Sequence, residues 1–123
     1  MLFTIVVLTS CSDEGDQQRQ LLQQTTSWIA SAEMIIHARS SGQVPETFSS
    51  LAVDRCRNEV SSLLDQLKNT TLSPRQRSVL DRFDPLLAKA AEAASKNDRS
   101  EAERTLEALR QTRDELLAAP ETP

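Results

Sequence analysis

Few side chains in this sequence can do chemistry, and their spacing is the first constraint on function. The single histidine, His37, follows Met34 by three residues, a thioether–imidazole pair of the kind that takes copper. One such pair supplies too few ligands for a metal site, so a solvated helix histidine is expected. Ser49, Ser50, Ser61 and Ser62 offer hydroxyls, but only His37 could act as their base. Asp81, Arg82 and Asp84 bring two carboxylates beside a guanidinium. At helical spacing such groups form a solvated charged face, as do Glu92 with Lys96 and Arg110 with Asp114. No Gly-rich phosphate loop, His-Glu-x-x-His or nucleophile elbow occurs. The expectation is a non-catalytic chain without cofactor or metal. Of the two cysteines, Cys56 falls on an apolar helical stripe and is expected to be a buried small hydrophobe.

The elements around these residues read as helices. The sequence has 123 residues, enough for one domain, with two glycines, no tyrosine and 3% aromatics. Ala, Leu, Gln, Glu and Arg are abundant, which favours helix over strand. Acids and bases are interspersed at a net charge of −4, so no nucleic-acid surface is marked.

Four helical segments follow from periodicity and stop signals. The first is expected from about Gln17 to Ser40, with Leu22, Ile29 and Ile36 in one stripe beside Leu21, Trp28, Ala32 and Ile35. Gln17, Gln18, Gln20, Gln23 and Gln24 are assigned to its soluble surface. Gly42 and Pro45 end it. The second runs from Pro45 or Glu46 to about Lys68 on a stripe of Phe48, Ala52, Cys56, Val60, Leu63, Leu64 and Leu67. Ser73-Pro74 opens the third as cap and first-turn proline. Its buried set is Val79, Leu80, Phe83, Leu86, Leu87, Ala90, Ala91 and Ala94, and Pro85 is expected to kink it. Asp98 with Glu101 starts the last helix, Arg99 to about Ala118, whose inner face is Ala102, Leu106, Leu109, Leu116 and Leu117. Short connections favour an all-α, antiparallel up-down four-helix bundle made of two helical hairpins. Trp28, Phe48 and Phe83 are assigned to the core, with Trp28 the one expected to be partly exposed and to anchor a partner.

Ahead of the bundle lies Met1 to Leu8, nearly all apolar, then Thr9, Ser10 and Cys11, and an abrupt change to Ser12, Asp13, Glu14, Gly15 and Asp16. An apolar run closing on small residues reads as the tail of a secretory signal peptide. Seven such residues, Leu2 to Leu8, are too few to cross a bilayer, which takes about 20 in a helix. No Lys or Arg precedes Arg19, so a start codon further upstream is expected.

Leu8-Thr9-Ser10-Cys11 resembles the lipobox of bacterial lipoproteins: an aliphatic residue, two small ones, then cysteine. The resemblance covers only these residues. It implies cleavage before Cys11 and acylation of its thiol, with more than one chain giving a stable anchor. Ser12 rather than Asp after the cysteine implies delivery to the outer membrane, facing the periplasm, rather than retention in the inner membrane. The expected layout is a signal segment at 1–10, a lipidated tether at 11–16, the bundle at 17–119 and a tail at 120–123. The expected function is that of an accessory or adaptor protein, held to the membrane by its lipid and binding another envelope protein. The alternatives are a periplasmic bundle that senses a small molecule or metal, and a cytosolic interaction domain should Cys11 carry no lipid.

Overall fold

The computed structural model describes residues 13–118, all-helical and without a strand among them. The stretch expected to be a signal segment, Cys11 and the expected tail lie outside the described residues. The helices are α1 (Asp13–Ser40), α2 (Glu46–Lys68), α3 (Pro74–Asp81), α4 (Phe83–Ser95) and α5 (Arg99–Ala118). α1 begins at Asp13, ahead of the expected Gln17, because acidic residues suit the positive end of a helix dipole. Its 28 residues span about 42 Å at 1.5 Å each.

Each turn between helices has a local cause. Gly42, at φ 74°, closes α1 in a left-handed turn: its N–H donates to Arg39 O at 3.0 Å, and that of Gln43 donates to Ala38 O at 2.8 Å. That double bond is the Schellman closure of a helix end. Asn97, at φ 60°, repeats it after α4, with Asp98 N–H donating to Ala93 O at 2.9 Å and Asn97 N–H to Ala94 O at 3.2 Å. Asn tolerates this region better than other non-glycine residues.

Ser73 builds a full capping box. Its hydroxyl accepts from Gln76 N–H at 3.1 Å, and Gln76 Oε1 accepts from Ser73 N–H at 3.0 Å. Both residues are buried, so water cannot replace the lost bonds. Ser73→Ala is expected to lower stability by about 1–2 kcal/mol in chemical denaturation.

At Pro85, where a kink is expected, the third segment is divided at Arg82 into α3 and α4. Proline has no N–H to give to Asp81 O, and the helical ladder lapses at Arg82 alone. Arg82 keeps right-handed helical dihedrals, φ −83° and ψ −15°. The apolar stripe therefore stays in phase, and Val79, Leu80, Phe83, Leu87, Ala90 and Ala94 are all buried.

α1 and α4 form the centre of the molecule: α1 packs on α2, α4 and α5, and α4 on α1, α2 and α5. Polar contacts register the ends. Gln18 Nε2 donates to Thr70 Oγ1 at 3.0 Å and Thr71 O at 2.7 Å, tying the start of α1 to the turn after α2. Arg39 near the end of α1 lies 3.7 Å from Glu46 at the start of α2. Lys89 of α4 pairs with Glu101 of α5 at 3.3 Å, and Arg82 pairs with Glu115. Gln18, assigned to the soluble surface, is thus buried, because it satisfies a turn.

Two further assignments need correction. Phe48 is 56% exposed, and Ser49 and Val53 take the inward positions of α2. The buried residues Ser49, Val53, Cys56, Val60, Leu63 and Leu67 alternate steps of four and three, the spacing that stays on one helix face. Phe48 and Ala52, read with Cys56 at unbroken steps of four, drift off it. On α5, Leu117 is 62% exposed, and Thr105 and Thr112 are buried instead. Their hydroxyls donate to Glu101 O at 2.8 Å and Ala108 O at 2.7 Å, which removes the penalty for burying them.

Candidate functional site

His37 sits near the end of α1 with its side chain 58% exposed, and its Nδ1 lies 3.2 Å from Glu103 Oε1 of α5. Met34, 73% exposed, lines the same groove between α1 and α5, with Glu33, Glu107, Arg110 and Arg113. Among the described residues no three His, Cys, Asp or Glu side chains are grouped to hold a metal ion.

The groove's most constrained members are Glu33 and Arg113, partners 80 residues apart. Arg113 donates to Glu33 Oε1 at 3.0 Å, with side chains only 14% (Glu33) and 24% (Arg113) exposed. Glu33 Oε2 and Arg113 Nε are buried without a hydrogen-bond partner. Loss of solvent pushes the Glu33 carboxyl above its ordinary range, and the Arg113 charge and hydrogen bond oppose that rise only in part. Sequence inspection missed this pair. Glu33 stands one helical turn before His37, a visible signal, but Arg113 reaches it only through the fold. Arg113 faces Glu33 and Arg110 pairs with Glu107 in this groove, and His37 lies beside Glu103.

The Asp81, Arg82 and Asp84 grouping is divided among other helices. Arg82 pairs with Glu115 of α5, and Asp84 accepts from Arg57 of α2 at 3.2 Å. Glu92 and Lys96 form the expected exposed pair at 2.8 Å. Arg110 pairs with Glu107 one turn before it rather than with Asp114. The Arg82–Glu115 and Arg57–Asp84 pairs staple helices together, whereas Glu92–Lys96 and Arg110–Glu107 each span a single helical turn.

Cys56 is a free thiol, 3% exposed in the core. Burial pushes its titration upward, keeping it in the less nucleophilic protonated form. Phe83 is fully buried, while Trp28 is half-buried against the core. The remaining apolar exposure is on Met34, Phe48, Leu51 and Leu117. Phe48 and Leu51 are three residues apart on the outward side of α2, so they stand together on one helix surface. Once Ser49 and Val53 are seen to face inward, that exposure follows from phase.

No helix among the described residues is long and apolar enough to cross a membrane. Comparison of the chain with protein families, characterised proteins and solved structures found no match.

Proposed function

We propose that this chain is a membrane-anchored lipoprotein facing the periplasm, whose helices form an antiparallel up-down four-helix bundle that acts as an accessory or adaptor for another envelope protein. The carrying observation is the sequence Leu8-Thr9-Ser10-Cys11 standing directly before a long helix. Only Ser12 separates Cys11 from Asp13, where α1 begins. Two residues extend at most about 7 Å, so an acylated Cys11 would hold the bundle against the lipid headgroups. Outer-membrane delivery rests on Ser12.

The antiparallel arrangement is supported by the end-to-end contacts: Gln18 with Thr70, Arg39 with Glu46, Lys89 with Glu101 and Arg82 with Glu115. In that arrangement the Gly42 turn lies about 40 Å from the lipid end. Trp28, half-buried midway along α1, and exposed Phe48 and Leu51 then stand away from the membrane. Aromatic side chains of this kind anchor protein interfaces.

A photo-cross-linking amino acid at position 28 or 48 tests the adaptor role in native envelopes. Both positions are expected to give one discrete protein adduct that exposed Asp65, placed as control, does not. Adducts at 28 and 48 no different from those at 65 would refute partner binding through this surface.

A further inference from the structure

Near the Gly42 end, α1, α2 and α4 line a cavity of about 70 Å³ that opens to solvent. Its floor is apolar, formed by Ile36, Val53 and Ala94, all buried. Its walls carry charge of both signs: Arg39 on α1, against Glu46 and Asp54 on α2. The hydroxyl-bearing residues Ser50 and Ser95 complete the rim.

Arg39 is poorly satisfied for a side chain only 18% exposed. Its Nε is buried with no hydrogen-bond partner. Its one carboxylate neighbour, Glu46, lies 3.7 Å away, beyond hydrogen-bond distance. Glu46 spends its other oxygen on Ser95 Oγ, at 3.0 Å, and is itself 59% exposed. A guanidinium fork matches a carboxylate through two parallel N–H donors. The Arg39 Nε is sealed from solvent, so the terminal nitrogens, which hold no hydrogen bond among those found in the described residues, are the ones to meet a ligand. On the opposite wall, Asp54 is exposed and forms no ion pair among those found in the described residues. One cation and two anions thus line a small space with an apolar floor.

We propose that this cavity binds a small zwitterionic amino acid of the size of glycine or alanine. The ligand's carboxylate meets the Arg39 guanidinium, and its ammonium lies against Glu46, the carboxylate beside Arg39, with Asp54 further along the same wall. A net-neutral ligand with both charges complements both walls. A simple carboxylate is repelled by Glu46 and Asp54, and a simple amine leaves Arg39 unsatisfied. Size points the same way. A cavity of about 150 Å³ accepts the six carbons of benzene. About 70 Å³ therefore encloses roughly half as many atoms, and the open rim takes the charged ends. A branched side chain such as that of leucine does not fit.

Titration of the isotope-labelled full chain carrying Cys11→Ser, followed by NMR, tests this without reference to anchoring. Glycine and alanine are expected to give saturable shifts at Arg39, Ser50 and Ser95, with a dissociation constant of about 1 mM or tighter. Acetate, methylammonium and leucine are expected to give none. Arg39→Met should weaken glycine binding at least about tenfold. Glu46→Gln, a change at an exposed residue that keeps the fold, should weaken it severalfold. Absence of saturable shifts with glycine and alanine overturns the proposal. So does acetate binding as tightly as glycine, or unchanged binding by a folded Arg39→Met or Glu46→Gln variant.

Discussion

Phe83→Ala is expected to cost about 3–5 kcal/mol in chemical denaturation, the range for removing a buried aromatic ring. Phe83 is fully buried and is the largest of the fully buried side chains. It stands at the first position of α4, beside the lapse at Arg82, where the helical ladder is weakest. The hole left there could be closed only by moving α4 against the helices it packs on, α1, α2 and α5. Single domains have roughly 5–15 kcal/mol in total, so this one change would remove a large share. Phe48→Ala makes the contrast. With its ring 56% exposed, its loss should fall within about 0.5 kcal/mol, as for an ordinary surface substitution. Equal costs for the two would place Phe48 in the core and contradict the phase of α2.

The second large effect concerns Glu33 and Arg113, and its sign reverses between the two partners. Arg113→Met leaves a largely buried carboxylate without its partner, and breaking such a pair costs about 3–5 kcal/mol when burial is complete. With 14% and 24% exposure, about 2 kcal/mol at neutral pH is the expected loss. Glu33→Gln removes the carboxylate instead, keeps an acceptor for Arg113, and is expected to change stability by less than about 1 kcal/mol.

The pH dependence follows from the direction of the Glu33 shift. Its folded-state value lies above the ordinary 4.5. Stabilisation from the bound proton is therefore complete below the ordinary carboxylate range. It is lost as pH rises through the raised folded value. Glu33→Gln cannot titrate, so its stability relative to the wild type should improve across that interval and then hold constant. The penalty of Arg113→Met should shrink on acidification, because Glu33 then takes a proton. A penalty that stayed level from neutral pH to below 4 would show that the pair is not desolvated. Urea midpoints across this range report both trends.

Much of the fold was legible in the sequence where single residues have strong local preferences. Gly42, Pro45, Ser73-Pro74 and Asp98 each stop or start a helix by backbone geometry or capping, and these boundaries coincide with the observed ones. The interior of α2 was less legible, because hydropathy favours Phe48 over Ser49, whereas the phase of the seam is set by the later residues Val60, Leu63 and Leu67. Buried Thr25, Thr105 and Thr112 were invisible for a related reason. Each hydroxyl closes on a carbonyl one turn back, a bond that composition does not reveal. The α1–α5 groove was partly legible. His37 and Met34 stood out by residue type, but Glu33–Arg113 joins residues on the first and last helices. The cavity beside Arg39 needs three helices to exist, and no stretch of sequence contains it.

The central claim is that Cys11 is the membrane anchor of this bundle, and metabolic labelling with palmitate tests it most directly. The full-length chain, expressed in a bacterial host with an intact lipoprotein pathway, is predicted to take up label and to sediment with membranes. Cys11→Ala is predicted to lose both properties, whereas Cys56→Ala keeps them. Wild-type protein that folds, accumulates and takes up no label would contradict the account.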